Sequence, residues 1–299
     1  MKKFLIKVIL FFSIIVAIDL LFGKICGYMT AHANTGGTKE ITNICKNEKY
    51  DIIIMGSSKA HHNYIPKIIS DSLNVSCYNA GHDGNGIILS YAILKMMNGQ
   101  NYPRIIIYDV KQQFDLYRYY GDGDYARYIK LLRPFFGEKE VDDVIGSISN
   151  LELIKLNSSL YRYNSQFISM ALDLRSHKGN NYRGYQPLEG FIKEFEPLDR
   201  DYLLEVDSLK YRYFNDFIDA SKDKGIKLIV VISPEYQTPV SADFKPIRDI
   251  CKFNNIPLFD YFDDPLFQDK DMFKDHCHLN SYGAKKITEK LVGDLKHSL

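Results

Sequence analysis

The sequence predicts an α/β fold: a three-layer α/β/α sandwich on a parallel sheet of about five strands, with a helical insertion. Two observations predict it. Apolar runs such as Ile52-Ile53-Ile54-Met55, Ile105-Ile106-Ile107-Tyr108 and Leu228-Ile229-Val230-Val231-Ile232 lack the alternation of a half-exposed strand, so both faces of each are expected to be buried. Segments with helical spacing lie between them, and consecutive parallel strands need such crossovers. With 299 residues and 45% apolar content, the chain has enough apolar surface for one sizeable core.

The chain begins Met1-Lys2-Lys3, then runs apolar from Phe4 to Phe22, broken only by Lys7, Ser13 and Asp19. About 20 apolar residues suffice for a spanning helix. Each Leu, Ile, Phe or Val at depth favours insertion by about 0.3–0.6 kcal/mol. Asp19 opposes it by about 2.5 kcal/mol or more at the bilayer centre, but lies near one end. The apolar residues outweigh it. Lys2, Lys3 and Lys7 keep the N-terminus cytoplasmic. Residues 1–23 are therefore expected to be a single-pass signal-anchor helix in the cytoplasmic membrane, with the rest extracytoplasmic, in a bacterial envelope. A signal peptide cleaved near Ala31-His32-Ala33 is the competing reading, and it exports the domain equally. Residues 24–48, rich in Gly, Thr, Asn and Lys, read as a stalk. Residues 49–299 read as the folded domain.

Within that domain Asp51–Met55 reads as a strand, Ile65–Leu73 as a helix, Val75–Asn79 as a short strand and Ile87–Met97 as a helix. Arg104–Val110 is the next buried strand. Residues about 115–200 interrupt the rhythm with a Gly121-Asp122-Gly123-Asp124 turn, helical stretches near 125–134 and 140–172, and a polar turn at Ser176–Arg183. They read as an insertion placed to shape a pocket, because ligands of open parallel sheets bind beyond the carboxyl ends of the strands. The rhythm then resumes with a helix over Tyr202–Lys222, a strand over Lys227–Ile232, a helix over Lys245–Phe253, a strand over Ile256–Tyr261 and a last helix over Ser281–Lys296.

A formal charge of +1 gives no electrostatic footprint for nucleic acid, and no nucleic-acid partner is expected. The pairs Tyr161-Arg162-Tyr163 and Tyr211-Arg212-Tyr213 read as partly buried amphipathic faces. Five cysteines, an odd number without CxxC spacing, imply no zinc knuckle. Cys77 and Cys251 read as core thiols. No spacing rule supports a Cys26–Cys45 disulfide.

Two remote segments carry chemistry. The first strand ends in Gly56-Ser57-Ser58, and near the C-terminus stands Asp275-His276-Cys277-His278. Ser58 would sit at the carboxyl edge of the sheet, before a helix. A serine needs a base to take its proton. His278 is the expected base, and Asp275, three residues earlier, would orient it and stabilise the imidazolium. Oxyanion donors are expected from the Ser58 amide, from the glycine-rich Asn79-Ala80-Gly81-His82-Asp83-Gly84-Asn85-Gly86 loop, and from Lys111-Gln112-Gln113 after the third strand. His82 and Asn85 of that loop, and Glu235 beyond a core strand, are expected to contact substrate. Asp109, at the end of the third strand, is placed as Glu235 is, and for both the alternative to facing the pocket is capping or ion pairing. His61 and His62 read as exposed first-turn residues. Alone, Gly56-Ser57-Ser58 also fits a turn with Ser58 capping a helix; Asp275 and His278 favour the nucleophile. The Asp-His-Cys-His cluster invites a metal reading, but no second cluster with metal spacing accompanies it. No metal and no cofactor are expected.

These blocks resemble the SGNH (GDSL-like) hydrolase superfamily. Gly56-Ser57-Ser58 is similar to its first block, Asn79–Gly84 to its second and Asp275–His278, continued by Leu279–Ala284, to its fifth. The resemblance covers residues about 50–112 and 225–296. It implies a flavodoxin-like sheet, Ser58 as nucleophile and Gly84 at the oxyanion position. The third block departs: the family places Gly-x-Asn-Asp where this chain has Val110-Lys111-Gln112-Gln113, which leaves Gln112 as the substitute donor. That departure, with the N-terminal anchor, is similar to the membrane-tethered envelope acyl-transfer branch. The branch implies serine-dependent esterase or O-acyltransferase chemistry, O-acetyl above all, on a cell-envelope glycan or polymer, beside a membrane-bound O-acyltransferase. The alternative is a non-catalytic glycan-binding or scaffold module of a polymer modification or export complex.

Overall fold

The computed structural model describes residues 1–118, 124–176, 182–192, 205–236 and 244–298. Its elements run in chain order. Helix α1 is Lys2–His32 and α2 Gly37–Thr42; a π-helical turn covers Asn43–Asn47. Strand β1 is Ile52–Gly56, followed by α3 (Ser58–Asn63), α4 (Pro66–Leu73), β2 (Cys77–Asn79), α5 (Ile87–Met96), β3 (Ile105–Asp109) and α6 (Gln112–Asp115). The insertion holds α7 (Asp124–Leu132), α8 (Lys139–Ile148), α9 (Asn150–Leu156), α10 (Ser159–Tyr163) and α11 (Phe167–Arg175). Then come α12 (Ser208–Asp223), β4 (Lys227–Ile232), α13 (Lys245–Asn254), β5 (Leu258–Asp260) and α14 (Ser281–Ser298).

The five strands form one parallel sheet in the order β2-β1-β3-β4-β5. One sheet face carries Ile52, Ile54, Ile105, Ile107, Ile229 and Val231 into a core with Ile69, Ile287, Leu291 and Leu295 of α4 and α14. The other meets α5 and α12, where the Tyr108 ring lies 5.8 Å from Phe214 and 5.4 Å from Phe217. Full burial of each such side chain contributes about 1.5–3 kcal/mol, which is why the strands read as unbroken apolar runs. The sandwich and its sheet are as the sequence predicts. β1 is the point at which successive strands change direction across the sheet, and the crevice beside its carboxyl end is where this topology opens a site.

The chain divides into two compact units: Met1–Thr42 with Ile129–Asn180, and Asn43–Tyr128 with Asn181–Leu299. The sheet and its helices lie in the second. In the first, the segment expected as a stalk is largely helical. α1 continues to His32, and Cys26, Met29 and Ile41 are buried. The long helical stretch expected near 140–172 is broken into α8–α11, with Ser149 and Ser158 as caps whose side chains accept amides of the next turn, a role serine performs better than it continues a helix. Of the expected Gly121–Asp124 turn, residues 121–123 lie outside the described residues, as do 177–181 of the Ser176–Arg183 turn. The helix expected from Tyr202 starts at Ser208, capped by Asp207; residues 202–204 are outside the described ones. No disulfide joins any of the five cysteines. α1 is long and apolar enough to cross a membrane, with mean hydropathy 2.7 over 18 residues, none of them buried.

Candidate active site

The nucleophile candidate is positioned by the end of β1. Gly56 takes φ +139°, and a Cβ there would stand 2.4 Å from the Asp109 carbonyl, so the strand can turn away sharply only as glycine. Ser57 then caps α3, its Oγ accepting the Lys59 amide at 3.4 Å. Ser58 is the first helical residue and not the cap. Its hydroxyl is left for other work.

His278 arrives from 220 residues away. The chain between Phe273 and Leu279 closes as a tight hairpin, with a β-bridge between those two and the Lys274 amide donating to the His278 carbonyl at 2.9 Å. Inside it the Asp275 carboxylate accepts from the Cys277 and His278 amides, both at 3.0 Å. Asn63, at the end of α3, accepts the Leu279 amide at 3.1 Å. One asparagine thus docks the hairpin on the helix that begins with Ser58.

The outcome is a relay. Ser58 Oγ lies 2.7 Å from His278 Nε2, and His278 Nδ1 lies 2.9 and 3.0 Å from the Asp275 oxygens. The partners assign the tautomer: Nδ1–H donates to Asp275, which leaves Nε2 to accept the Ser58 hydroxyl proton. Burial works to raise the Asp275 carboxyl, but the hydrogen bond and charge of His278 outweigh it and hold it well below the usual carboxylate range. Burial presses the His278 ring toward its neutral form; Asp275 and the Cys277 thiol, 3.4 Å from Nδ1, outweigh it and raise its pKa.

The glycine loop is built for close approach. The Asn79 side chain donates to the carbonyls of Ala60 (2.6 Å) and Tyr64 (3.0 Å) and accepts from the Gly81 amide at 3.0 Å. A Cβ on Gly81 would stand 2.4 Å from the His61 nitrogen, so this loop rests on α3 only with glycine there. The His82 amide donates to the Gly56 carbonyl at 3.1 Å. Gly84 follows in a left-handed conformation, φ +67°. Burial, helped by the nearby His61, lowers the His82 ring to about 4, against the pull of Asp83, and keeps it neutral. Asn85 is buried and folds back on its own loop, donating to the Asp83 carbonyl at 2.8 Å.

Gln112 stands at the start of α6, just beyond the end of β3 where the third block falls. Its amide is buried, and neither polar atom has a partner among the described residues. Asp115 ties this turn to the glycine loop: its carboxylate accepts the Lys111 amide at 2.6 Å, the Ile87 amide at 2.8 Å and the Tyr108 hydroxyl at 2.6 Å. Burial raises Asp115 to about 7, against those three bonds.

Glu235, expected at the substrate with ion pairing as the alternative, is buried and bridges Lys59 Nζ (3.2 Å) and Lys111 Nζ (2.7 Å). Burial works to raise its carboxyl, but the two ammonium groups, Lys111 first, hold it far below the usual range. Asp109, placed with Glu235 by the sequence, is also buried and accepts the Ser233 hydroxyl at 3.1 Å. His61 and His62 are not exposed first-turn side chains. Their rings stack at 4.7 Å, both face Asp83 Oδ1 at 2.8 and 3.2 Å, and His62 stands edge-on to His278 at 5.6 Å. His62 Nδ1 also bonds the Gln186 carbonyl at 2.8 Å. The spacing 58, 61, 62 puts all three on one helix face, the signal by which sequence reasoning could have found them.

Among the described residues, two groups bring metal-ligating atoms within 4.8 Å of one another: His61, His62 and Asp83, and Asp275, Cys277 and His278. The second group is engaged by the relay just described. The first offers the imidazole and carboxylate donors that zinc takes, with Asp83 already bonded to both rings.

No family profile matches the chain, and no curated protein matches it in sequence. Among solved structures, the chain is similar to a protein assigned to the lipolytic G-D-S-L family from Desulfitobacterium hafniense DCB-2, at 11% identity and TM-score 0.42, over 81% of this chain and 98% of that one. It is similar to a protein designated an acylhydrolase from Bacteroides fragilis NCTC 9343, at 9% identity and TM-score 0.43, over 86% and 95%. It is also similar to a GDSL-like lipase from Bacteroides thetaiotaomicron VPI-5482, at 10% identity and TM-score 0.39, over 93% and 98%.

Proposed function

We propose that the chain is a serine-dependent O-acyl esterase or O-acyltransferase of SGNH type. Its substrate is an O-acetylated cell-envelope glycan or polymer, reached outside a cytoplasmic membrane in which α1 is the anchor. The observation that carries the chemistry is the unbroken relay from Ser58 Oγ through His278 to Asp275. Ser58 Oγ attacks the ester carbonyl carbon while His278 Nε2 takes its proton. Asp275 holds the imidazolium. The oxyanion is met by the Ser58 and Gly84 amides and the unpartnered Gln112 amide, each donor worth about 3–4 kcal/mol in the transition state. As the tetrahedral intermediate collapses, the alcohol leaves with the proton from Nε2. Water or a glycan hydroxyl then attacks the acyl-Ser58 ester and gives its proton to Nε2, which returns it to the departing Ser58 Oγ as acid or acylated glycan is released. A membrane-bound O-acyltransferase fits as the partner that supplies or receives the acyl group.

Full-length protein in detergent, given a chromogenic acetyl ester with and without envelope glycan, tests the reading. Acetyl on the glycan identifies a transferase and free acetate alone an esterase; alcohol release no faster than with the Ser58→Ala variant refutes both.

Only neutral His278 accepts the Ser58 proton, so its raised pKa sets the pH profile. The value of kcat/KM is expected to climb with pH, with its midpoint above the free-imidazole value of about 6.5. Asp275→Asn removes a main raising partner. It is expected to move the midpoint down and lower kcat by about 10⁴. A midpoint unmoved by Asp275→Asn would assign the titration to another group.

A further inference from the structure

We propose that α9, α10 and α11 are embedded in the outer boundary of the lipid bilayer, as a collar around α1. The proposal rests on the reading of α1 as a membrane anchor.

The length of α1 supplies the depth scale. A hydrocarbon core is about 30 Å thick. At 1.5 Å per residue the apolar stretch Phe4–Phe22 is about 28 Å long. All of it is needed to cross. Asp19 lies three residues short of Phe22, hence about 4–5 Å below the outer edge of the core.

A carboxylate at that depth needs partners that water does not supply. It has three. The Ser158 hydroxyl donates to Asp19 at 2.7 Å, and the Ser159 and Leu160 amides donate at 2.9 Å. These groups are the N-terminus of α10, so that helix starts at the depth of Asp19. One turn on, a Cβ at Gly23 would stand 2.3 Å from Ser159 Oγ; the backbones meet as closely as small residues allow in membrane helix pairs. Phe22 stacks on Phe167 of α11 at 5.3 Å, and Cys26, Met29, Tyr163 and Met170 form a small core behind them. Both helices are therefore fixed to α1 at the level where it leaves the hydrocarbon.

Their other faces are greasy. Leu151, Ile154, Leu160, Ile168 and Leu172 are exposed, Ile168 by 75% and Ile154 by 69%. Glu152, Lys155 and Arg162 intervene in the sequence. Short helices that alternate in this way lie in the interface, apolar side down by about 5–10 Å. Lipid is the occupant because the depth of these faces is already set by Asp19.

The chain contains no tryptophan, so single tryptophans make clean probes. Full-length Ile168→Trp, Ile154→Trp and Phe11→Trp variants are placed in phospholipid vesicles with acyl chains brominated near the headgroup, or with aqueous acrylamide. The expected result is blue-shifted emission from both collar probes, quenched by brominated lipid and shielded from acrylamide. Phe11→Trp quenched by lipid while the collar probes respond to acrylamide would overturn the collar and leave the anchor standing. Failure of Phe11→Trp to respond to lipid would overturn the anchor, and the collar with it. Collar probes shielded from both quenchers would mean that protein, a second copy in purified vesicles, covers this face; that too would overturn the proposal.

Discussion

Ser58→Ala is expected to lower the rate of acyl transfer by about a million-fold, because the group proposed to form the covalent intermediate is gone. His278→Ala is expected to cost nearly as much, and the double variant little more, since the two act as one unit. What survives is the contribution of oxyanion donors and binding, about 10³–10⁴ over water. A covalent serine-directed probe, followed by peptide mapping, reads the same point without a known substrate. Labelling at Ser58, lost in His278→Ala, is the expected pattern. Labelling at Ser57 would move the nucleophile. No labelling, with glycan binding unchanged in Ser58→Ala, would leave a binding module. The expectation rests on geometry: Ser57 is spent on capping α3, and only Ser58 faces His278.

The second large effect is on stability. Glu235 is the shared counter-ion of two buried lysines, and Glu235→Leu would remove the carboxylate that both ammonium groups share, leaving Lys59 its bond to the Ser233 carbonyl. Breaking one buried pair costs about 3–5 kcal/mol. At about 2–4 °C per kcal/mol, Tm is expected to fall by roughly 10 °C. The sign with pH follows from the depressed Glu235 pKa. Its contribution is present above the unfolded carboxyl value of about 4.3 and fades as acid carries the solution down through the folded value. Wild type is therefore expected to lose part of its advantage over Glu235→Leu on acidification, by thermal melts at several pH values. If Glu235 instead held substrate, as its sequence position suggests, KM would rise and Tm would hold.

The strands and the relay were legible in sequence for a shared reason. A strand buried on both faces leaves an unbroken apolar run, and a base and its orienter on one hairpin leave a fixed spacing. What sequence could not supply was pairing across elements. Lys59, Lys111 and Glu235 each look like a surface charge until β1, β3 and β4 set them together. His61 and His62 look exposed until the glycine loop brings Asp83 over them. The helical form of the stalk segment was not legible in its composition: Gly, Thr and Asn are weak helix formers, and packing at Cys26, Met29 and Ile41 carries the helices through them. Gln112 was named from the family resemblance, as the substitute at the third block, and the structure adds that its buried amide has no partner among the described residues.

The docking of the Phe273–Leu279 hairpin on Asn63 has a consequence for timing. Nucleophile and base enter the growing chain 220 residues apart, and the hairpin emerges only just before the closing helix. A nascent or C-terminally clipped polypeptide therefore carries an unarmed serine. The Ser58–His278 contact can form only once this hairpin, made after β1 to β5, has left the ribosome.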